Sequence, residues 1–289
     1  MQKLLVTGAS GFLGWHLCRR ATDQWQVIGT TWRQRVEIPG VCLIRVDLRH
    51  FKTLQELFAH VQPAAVIHTA AMSKPNACQQ SPEAAYSINV TASLNLARLC
   101  AEARIPVVFT STDLVFDGHN PPYSETAPVS PLNIYGEQKV AAEQGILKRS
   151  PRAVICRLPL LFGAATPSAS SFMQPLVAAL KAGQELRLFT DEFRTPVSAA
   201  TAADGLLLAL NTQGILHLGG KDRVSRYQFG CLIAEVFGLS QANISPCRQR
   251  DIPMAAPRAA DVSLDSSKAF SLGYRPLPLQ EQLKSLLEQ

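Results

Sequence analysis

The sequence predicts an α/β fold, a doubly wound parallel sheet with a small C-terminal lobe. Three observations carry this. Short apolar runs rich in β-branched residues alternate with amphipathic stretches over the first 160 residues, a glycine-rich turn joins the first run to the first helix, and the alternation loosens after Pro159. Nearly continuous apolar strands belong to sheets covered on both faces, and the intervening helices supply the crossovers that parallel neighbours need.

The elements follow in order. KLLVTG (3–8) is the first strand and 12–22 the helix after the glycine turn. QVIGTT (26–31) and VCLIRVD (41–47) read as the next two strands, with a helix over 53–61. AAVIHTA (64–70) is a fourth strand, 83–103 a long helix and IPVVFTS (105–111) a fifth strand. Ser130 and Pro131 offer a cap and a first-turn proline for a helix running to 149, and AVICRL (153–158) completes the set.

Beyond that point, Pro-, Ala- and Ser-rich turns at 163–171 precede helices near 172–182, 198–210 and 225–238, the strands ELRLF (185–189) and ILHL (215–218), and a last helix from Pro278. These pieces are too few for a second sheet. The division expected is therefore 1–158 and 159–289, with segment 198–220 returning to the main sheet and the lobe lying over the strand ends.

With 289 residues, 47% hydrophobic and 17% charged, the chain buries a large core and is not composed like a disordered one. No apolar run approaches the about 18 residues of a membrane span, and the N-terminus enters its glycine turn without the apolar core of a signal peptide. Seven scattered cysteines without a CxxC pair, and histidines without ligand spacing, point to reduced thiols in the cytoplasm and to no metal site. The net charge is +6, yet Lys and Arg occur singly or in pairs such as Arg19 and Arg20. That pattern favours a small phosphorylated ligand over nucleic acid. A second copy of the chain, in a homodimer, is the protein partner this reading admits.

Gly8, Ser10, Gly11, Phe12, Leu13 and Gly14 form the turn between first strand and first helix. Glycines there let the backbone approach a pyrophosphate, and the helix amides and dipole favour the anion, so the turn reads as a Rossmann-like dinucleotide site. Tyr135 and Lys139 stand four residues apart in the helix after the fifth strand. This spacing puts phenol and ammonium on one face, where the ammonium favours the phenolate and lowers the phenol pKa. Ser111 and Thr112 leave the end of the fifth strand, where ligands of parallel sheets bind.

From its GxxGxxG spacing onward, the sequence resembles the extended short-chain dehydrogenase/reductase superfamily. The resemblance implies a catalytic set of Thr112, Tyr135 and Lys139, with Ser111 as the fallback hydroxyl. It places Asp47 and Leu48 at the adenine, Thr69, Ala70 and Ala71 beside the cofactor, and Asn89 in a structural and catalytic position. Where relatives that bind NAD carry an Asp at the end of the second strand, this chain has Thr30-Thr31-Trp32-Arg33, with Arg35 following. A guanidinium binds a 2′-phosphate that a carboxylate repels, so NADP is favoured, and NAD stays open.

STDLVFDG (111–118), Pro122-Tyr123-Ser-Glu125, Pro131 and YGEQK (135–139) narrow the resemblance to the dTDP-4-dehydrorhamnose reductase family, which also contains the regulatory beta subunit of methionine adenosyltransferase. Arg194-Thr195-Pro196, His217-Leu-Gly-Gly220, Ser225-Arg226-Tyr227 and the segment 258–265 agree with it. The resemblance implies NADPH-dependent reduction of the 4-keto group of a nucleotide-linked deoxysugar. Two other readings keep the fold: a sugar-nucleotide epimerase or dehydratase with transient nicotinamide redox, and a non-catalytic regulatory subunit. One departure follows the sixth strand, where Arg157-Leu158-Pro159-Leu160 replaces the Arg-Thr-Ser-Trp stretch whose Trp contacts the rhamnose precursor. Phe116, Phe162 and Phe193 are the remaining aromatics near the expected cleft.

Overall fold

In the computed structural model, which describes residues 1–288, the chain opens with β1 (Lys3–Thr7), α1 (Phe12–Ala21), β2 (Gln26–Thr31), β3 (Cys42–Arg45), α2 (Phe51–Val61) and β4 (Ala65–His68). Next come α3 (Pro75–Gln80), α4 (Pro82–Tyr86), α5 (Ala92–Glu102), β5 (Val107–Thr112), α6 (Ile134–Arg149) and β6 (Val154–Leu158). The second half adds β7 (Leu161–Phe162), α7 (Met173–Lys181), β8 (Leu186–Phe189), β9 (Phe193–Arg194), β10 (Val197–Ser198) and α8 (Ala199–Ala209). It ends with β11 (Gly214–His217), β12 (Val224–Ser225), α9 (Arg226–Val236), β13 (Ile244–Cys247), α10 (Ser267–Ser271) and α11 (Leu279–Lys284).

Seven strands make one parallel sheet in the order β11-β6-β5-β4-β1-β2-β3. Alternate residues of β1 serve opposite faces: Leu4 and Val6 pack with Leu17, Cys18, Ala203 and Leu206 of α1 and α8. Leu5 packs with Leu54, Leu96 and Ile146 of α2, α5 and α6. Both faces are thus dry, as the unbroken apolar runs require. β11 pairs in parallel with β6, Gly214 opposite Val154 and His217 opposite Arg157, bringing the later half of the chain back to the sheet. The lobe has its own apolar cluster around Phe162, Leu176, Phe229, Ile233 and Leu283.

Two helices differ from the sequence reading. The stretch expected to be helical over 83–103 is broken by a π turn at Ser87–Thr91, which includes Asn89. α6 starts at Ile134, and its cap is Asn133, whose side-chain oxygen accepts the Gly136 amide at 3.0 Å. Ser130 lies in the preceding loop and gives its own amide to the Val115 carbonyl at 2.9 Å. β8 is the strand read at 185–189, whereas β7, β9, β10, β12 and β13 escaped the sequence reading because two to four residues show no usable period. Among the described residues, no helix is long and apolar enough to cross a membrane.

Candidate active site

The glycine turn bends through Gly8 at φ +75°, where a Cβ would stand 2.8 Å from the backbone of Ala70. A side chain on Gly14 would run into the Gly8 carbonyl. α1 starts with no side-chain cap and no acidic residue in its first turn, so its leading amides and positive dipole end suit an anion. The turn opens into a cleft of about 1190 Å³ along the C-terminal ends of the strands. Gly8, Ser10, Gly11, Phe12, Leu13 and Gly14 line it, as do Arg33, Asp47 and Leu48 from the ends of β2 and β3. Thr69, Ala70 and Ala71 follow β4, and Thr112, Tyr135 and Lys139 close the side formed by β5 and α6. At the β3 end, Arg49 grips Asp47 with bonds of 2.6 to 3.1 Å and holds its carboxyl below the usual range.

The juxtaposition of Thr112 and Tyr135 depends on Gly136. Any Cβ there would strike the Leu114 carbonyl, so this glycine lets α6 dock against the 3₁₀ turn Asp113–Val115. The Thr112 hydroxyl accepts the Leu114 amide at 3.2 Å and donates to Asp113 Oδ1 at 3.1 Å. Lys139 is buried, donates from Nζ to the Thr110 carbonyl at 2.9 Å, and sits 4.5 Å from the Phe109 ring centroid and 5.8 Å from that of Tyr135. Burial pushes the Lys139 ammonium down to about 8, against opposing pulls from Glu143 and Cys78.

Tyr135 departs from the expected direction. Burial pushes its phenol well above the ordinary value, and the Asp113 and Cys78 charges add to this, while the Thr112 hydroxyl pulls weakly the other way. The spacing of Tyr135 and Lys139 specified the neighbour, but desolvation decides the sign.

Opposite α6, the lobe contributes an ionic cluster. Asp113 Oδ2 lies 3.2 Å from Arg194 Nε, Arg194 Nη2 lies 3.4 Å from Glu192 Oε1, and Arg226 Nε lies 3.8 Å from the same oxygen. Burial raises the Asp113 carboxyl to about 6, although Arg194 and Thr112 oppose the shift. The Arg226 guanidinium stacks on Phe172 at 4.4 Å. Among the described residues, Asp113 Oδ2 and Arg258 Nε are buried with no hydrogen-bond partner. All five ionic residues and Phe172 line the cleft.

A family model described as the RmlD substrate binding domain matches residues 1–289. The chain belongs to that family. It is 30% identical over 282 residues to the methionine adenosyltransferase 2 subunit beta of Rattus norvegicus, covering 94% of this chain and 83% of that protein. It is 31% identical over 287 residues to a probable low-salt glycan biosynthesis reductase of Haloferax volcanii, covering 97% and 96% of the two chains. The solved structure of a dTDP-4-dehydrorhamnose reductase from Clostridium acetobutylicum matches with a TM-score of 0.86 and 25% identity, over 99% of this chain and 98% of that one.

Within this RmlD-family fold, three further residues singled out from the sequence are placed as follows. Asn89 is buried outside the cleft wall, where its amide clamps Met72 through N–H···O bonds of 2.9 and 3.1 Å and donates to Gln138 at 3.0 Å. It shapes the loop beside the cleft. Ser111 donates its hydroxyl to Glu143 at 2.5 Å, which leaves Thr112 as the hydroxyl available to a ligand. Arg35 is absent from the lining, whereas Arg49, not anticipated, is present. Phe116 and Phe162 are core residues, Phe193 lies under Arg223, and the lobe's aromatic in the cleft wall is Phe172, beside Phe12, Trp32 and Tyr135 from the first half of the chain. Pro159 lines the cleft as well. Arg226 and Arg258 stood in segments that carried the resemblance but were given no role, and the sequence carried no local signal for Glu192.

Proposed function

We propose that the protein is an NADP-dependent reductase acting on the keto group of a nucleotide-linked sugar. The observation that carries this reading is the meeting of Thr112, Tyr135 and Lys139 with the glycine turn in one cleft. A dinucleotide fits the residues present: the uncapped start of α1 and the close-packed glycines suit its pyrophosphate, and Arg33 with Arg49 suits a 2′-phosphate. When bound, the reduced nicotinamide supplies a hydride to the carbonyl carbon. Tyr135 gives its proton to the carbonyl oxygen as charge develops there. Its raised pKa keeps the phenol protonated at neutral pH, the form that reduction consumes. Lys139 binds the nicotinamide ribose. The hydrogen of Thr112, shared with Asp113 in the structure, turns to the carbonyl oxygen and holds it in register. Arg194, Arg226 and Arg258 outnumber Asp113 and Glu192, and that excess of positive charge suits the diphosphate of a nucleotide sugar.

The test follows NADPH absorbance with a panel of dTDP- and UDP-linked 4-keto sugars. Tyr135→Phe should lower turnover about 10²- to 10⁴-fold and leave cofactor affinity within about twofold. Equal turnover in that variant would refute the assignment. A second reading has support from the identity with a methionine adenosyltransferase subunit and from Leu160 at the position of the stacking Trp. In that case the chain binds a nucleotide cofactor and regulates a partner enzyme. Copurification with such an enzyme, together with no oxidation across the panel, would select it.

A further inference from the structure

We propose that Glu143, held by Arg157 and Ser111, is a positioning residue that keeps Lys139 charged and thereby sets the upper pH limit of cofactor binding. This rests on Lys139 as the ribose contact proposed above.

Tyr135, Lys139 and Glu143 follow one another at four-residue intervals on the buried side of α6. The first two face the cleft, and Glu143 lies behind it. Its carboxylate accepts the Ser111 hydroxyl at 2.5 Å and the Arg157 guanidinium at 3.1 and 2.8 Å. Arg157 Nη1 continues to His217 Nε2 at 3.4 Å, and His217 Nδ1 meets the Tyr123 carbonyl at 3.1 Å. Relative exposure is 2% for Lys139, 3% for Glu143, 2% for Arg157 and 0% for His217. As mere fold adhesive, such a chain of buried charges has no advantage over apolar side chains of equal volume. Its place one turn beyond Lys139 gives it a further use.

The groups facing Lys139 come from four elements. β5 supplies the Thr110 carbonyl and the Phe109 ring, β4 supplies His68, α3 supplies Cys78, and α6 supplies Tyr135 and Glu143. His68 is uncharged at neutral pH, because burial and the Lys139 charge push it down to about 3. Burial raises the Cys78 thiol, and Tyr135 is protonated for the same reason. Glu143 is therefore the carboxylate, among the described residues, that offsets the desolvation of the ammonium. With Lys139 already down to about 8, losing that carboxylate would bring its titration into the neutral range.

The experiment measures NADPH affinity by fluorescence titration from about pH 6 to about pH 9.5 for the full chain and four variants. In the unaltered protein, affinity falls as pH rises through the Lys139 titration. Glu143→Gln should move that midpoint down by about one pH unit, making binding about fivefold weaker at about pH 8 and nearly equal at about pH 6. Glu143→Asp, which keeps the charge, should restore the original midpoint. If Glu143→Gln unfolds, Glu143→Leu with Arg157→Met removes both charges from an apolar site and should show the same displaced midpoint. Lys139→Met should bind weakly and without pH dependence over this range. An unmoved midpoint in the Glu143 variants, with Lys139→Met flat, overturns the inference and leaves the site reading standing. Persistent pH dependence in Lys139→Met overturns both.

Discussion

Two buried ionic clusters flank the end of β5, and they differ in how fully their hydrogen-bonding capacity is used. Behind the cleft, Glu143 is bonded by Ser111 and twice by Arg157, which passes on to His217. Within the cleft, Asp113, Glu192, Arg194 and Arg226 pair at 3.2 to 3.8 Å with Arg258 on the same wall, and two buried atoms of the set lack any hydrogen-bond partner among the described residues. Burying a polar atom without a partner costs about 1–3 kcal/mol, so a folded protein keeps such atoms where something else will meet them. The closed cluster satisfies its own members, and the open one keeps capacity for the diphosphate proposed above.

The largest expected effect breaks the closed cluster. Arg157→Met strands the Glu143 carboxylate and should cost about 3–5 kcal/mol in urea denaturation, most of it recovered when Glu143→Leu is added. A loss below about 1 kcal/mol would remove the distinction between the clusters.

Asp113 sharpens it through pH. Its carboxyl is raised to about 6 in the fold, from an ordinary value of 3.8. The stability it contributes is therefore complete below about pH 4 and is lost as pH rises through about 6. Against Asp113→Asn, which does not titrate, the unaltered protein should weaken by about 2–3 kcal/mol between about pH 4 and about pH 7, as read from paired denaturation curves. Parallel curves would place Asp113 in an ordinary ion pair.

Arg258→Met probes the open cluster directly. Calorimetry should find UDP or dTDP bound about tenfold more weakly, close to 1.4 kcal/mol, with stability changed by less than about 0.5 kcal/mol. The reverse pattern, stability lost and affinity kept, would move Arg258 into the closed type. The smallest effect concerns α6, the helix that carries Glu143 of the closed cluster. Asn133→Ala removes the α6 cap and its bond to the Pro257 carbonyl at 3.1 Å, and should cost about 1 kcal/mol in a thermal melt.

The contrast also marks what sequence reasoning reaches. The glycine turn and the pair Tyr135–Lys139 were legible because their geometry is set by residues within one or two helical turns. β1 to β6 were legible because strands buried on both faces need unbroken apolar runs. Glu192, Arg226 and Arg258 were not, since they join Asp113 across 79 to 145 residues of chain through short, aperiodic elements of the lobe. Asn89 was placed by the family resemblance alone, and its bonds to the Met72 loop from within a π turn had no local sequence signal. The phenol shift of Tyr135 was read with the wrong sign because a local spacing carries no measure of desolvation.

The seventh strand has a consequence for how the chain comes apart. β11 borrows its place beside β6 from the far side of the lobe, and Asp204 of α8 receives Arg20 of α1 at 2.6 and 2.8 Å. A protease that nicks the surface between 164 and 171 should thus yield two pieces that migrate together. A fragment ending at Leu158 would present a raw β6 margin and the stripped flank of α1 to its neighbours, and should aggregate where the intact chain does not.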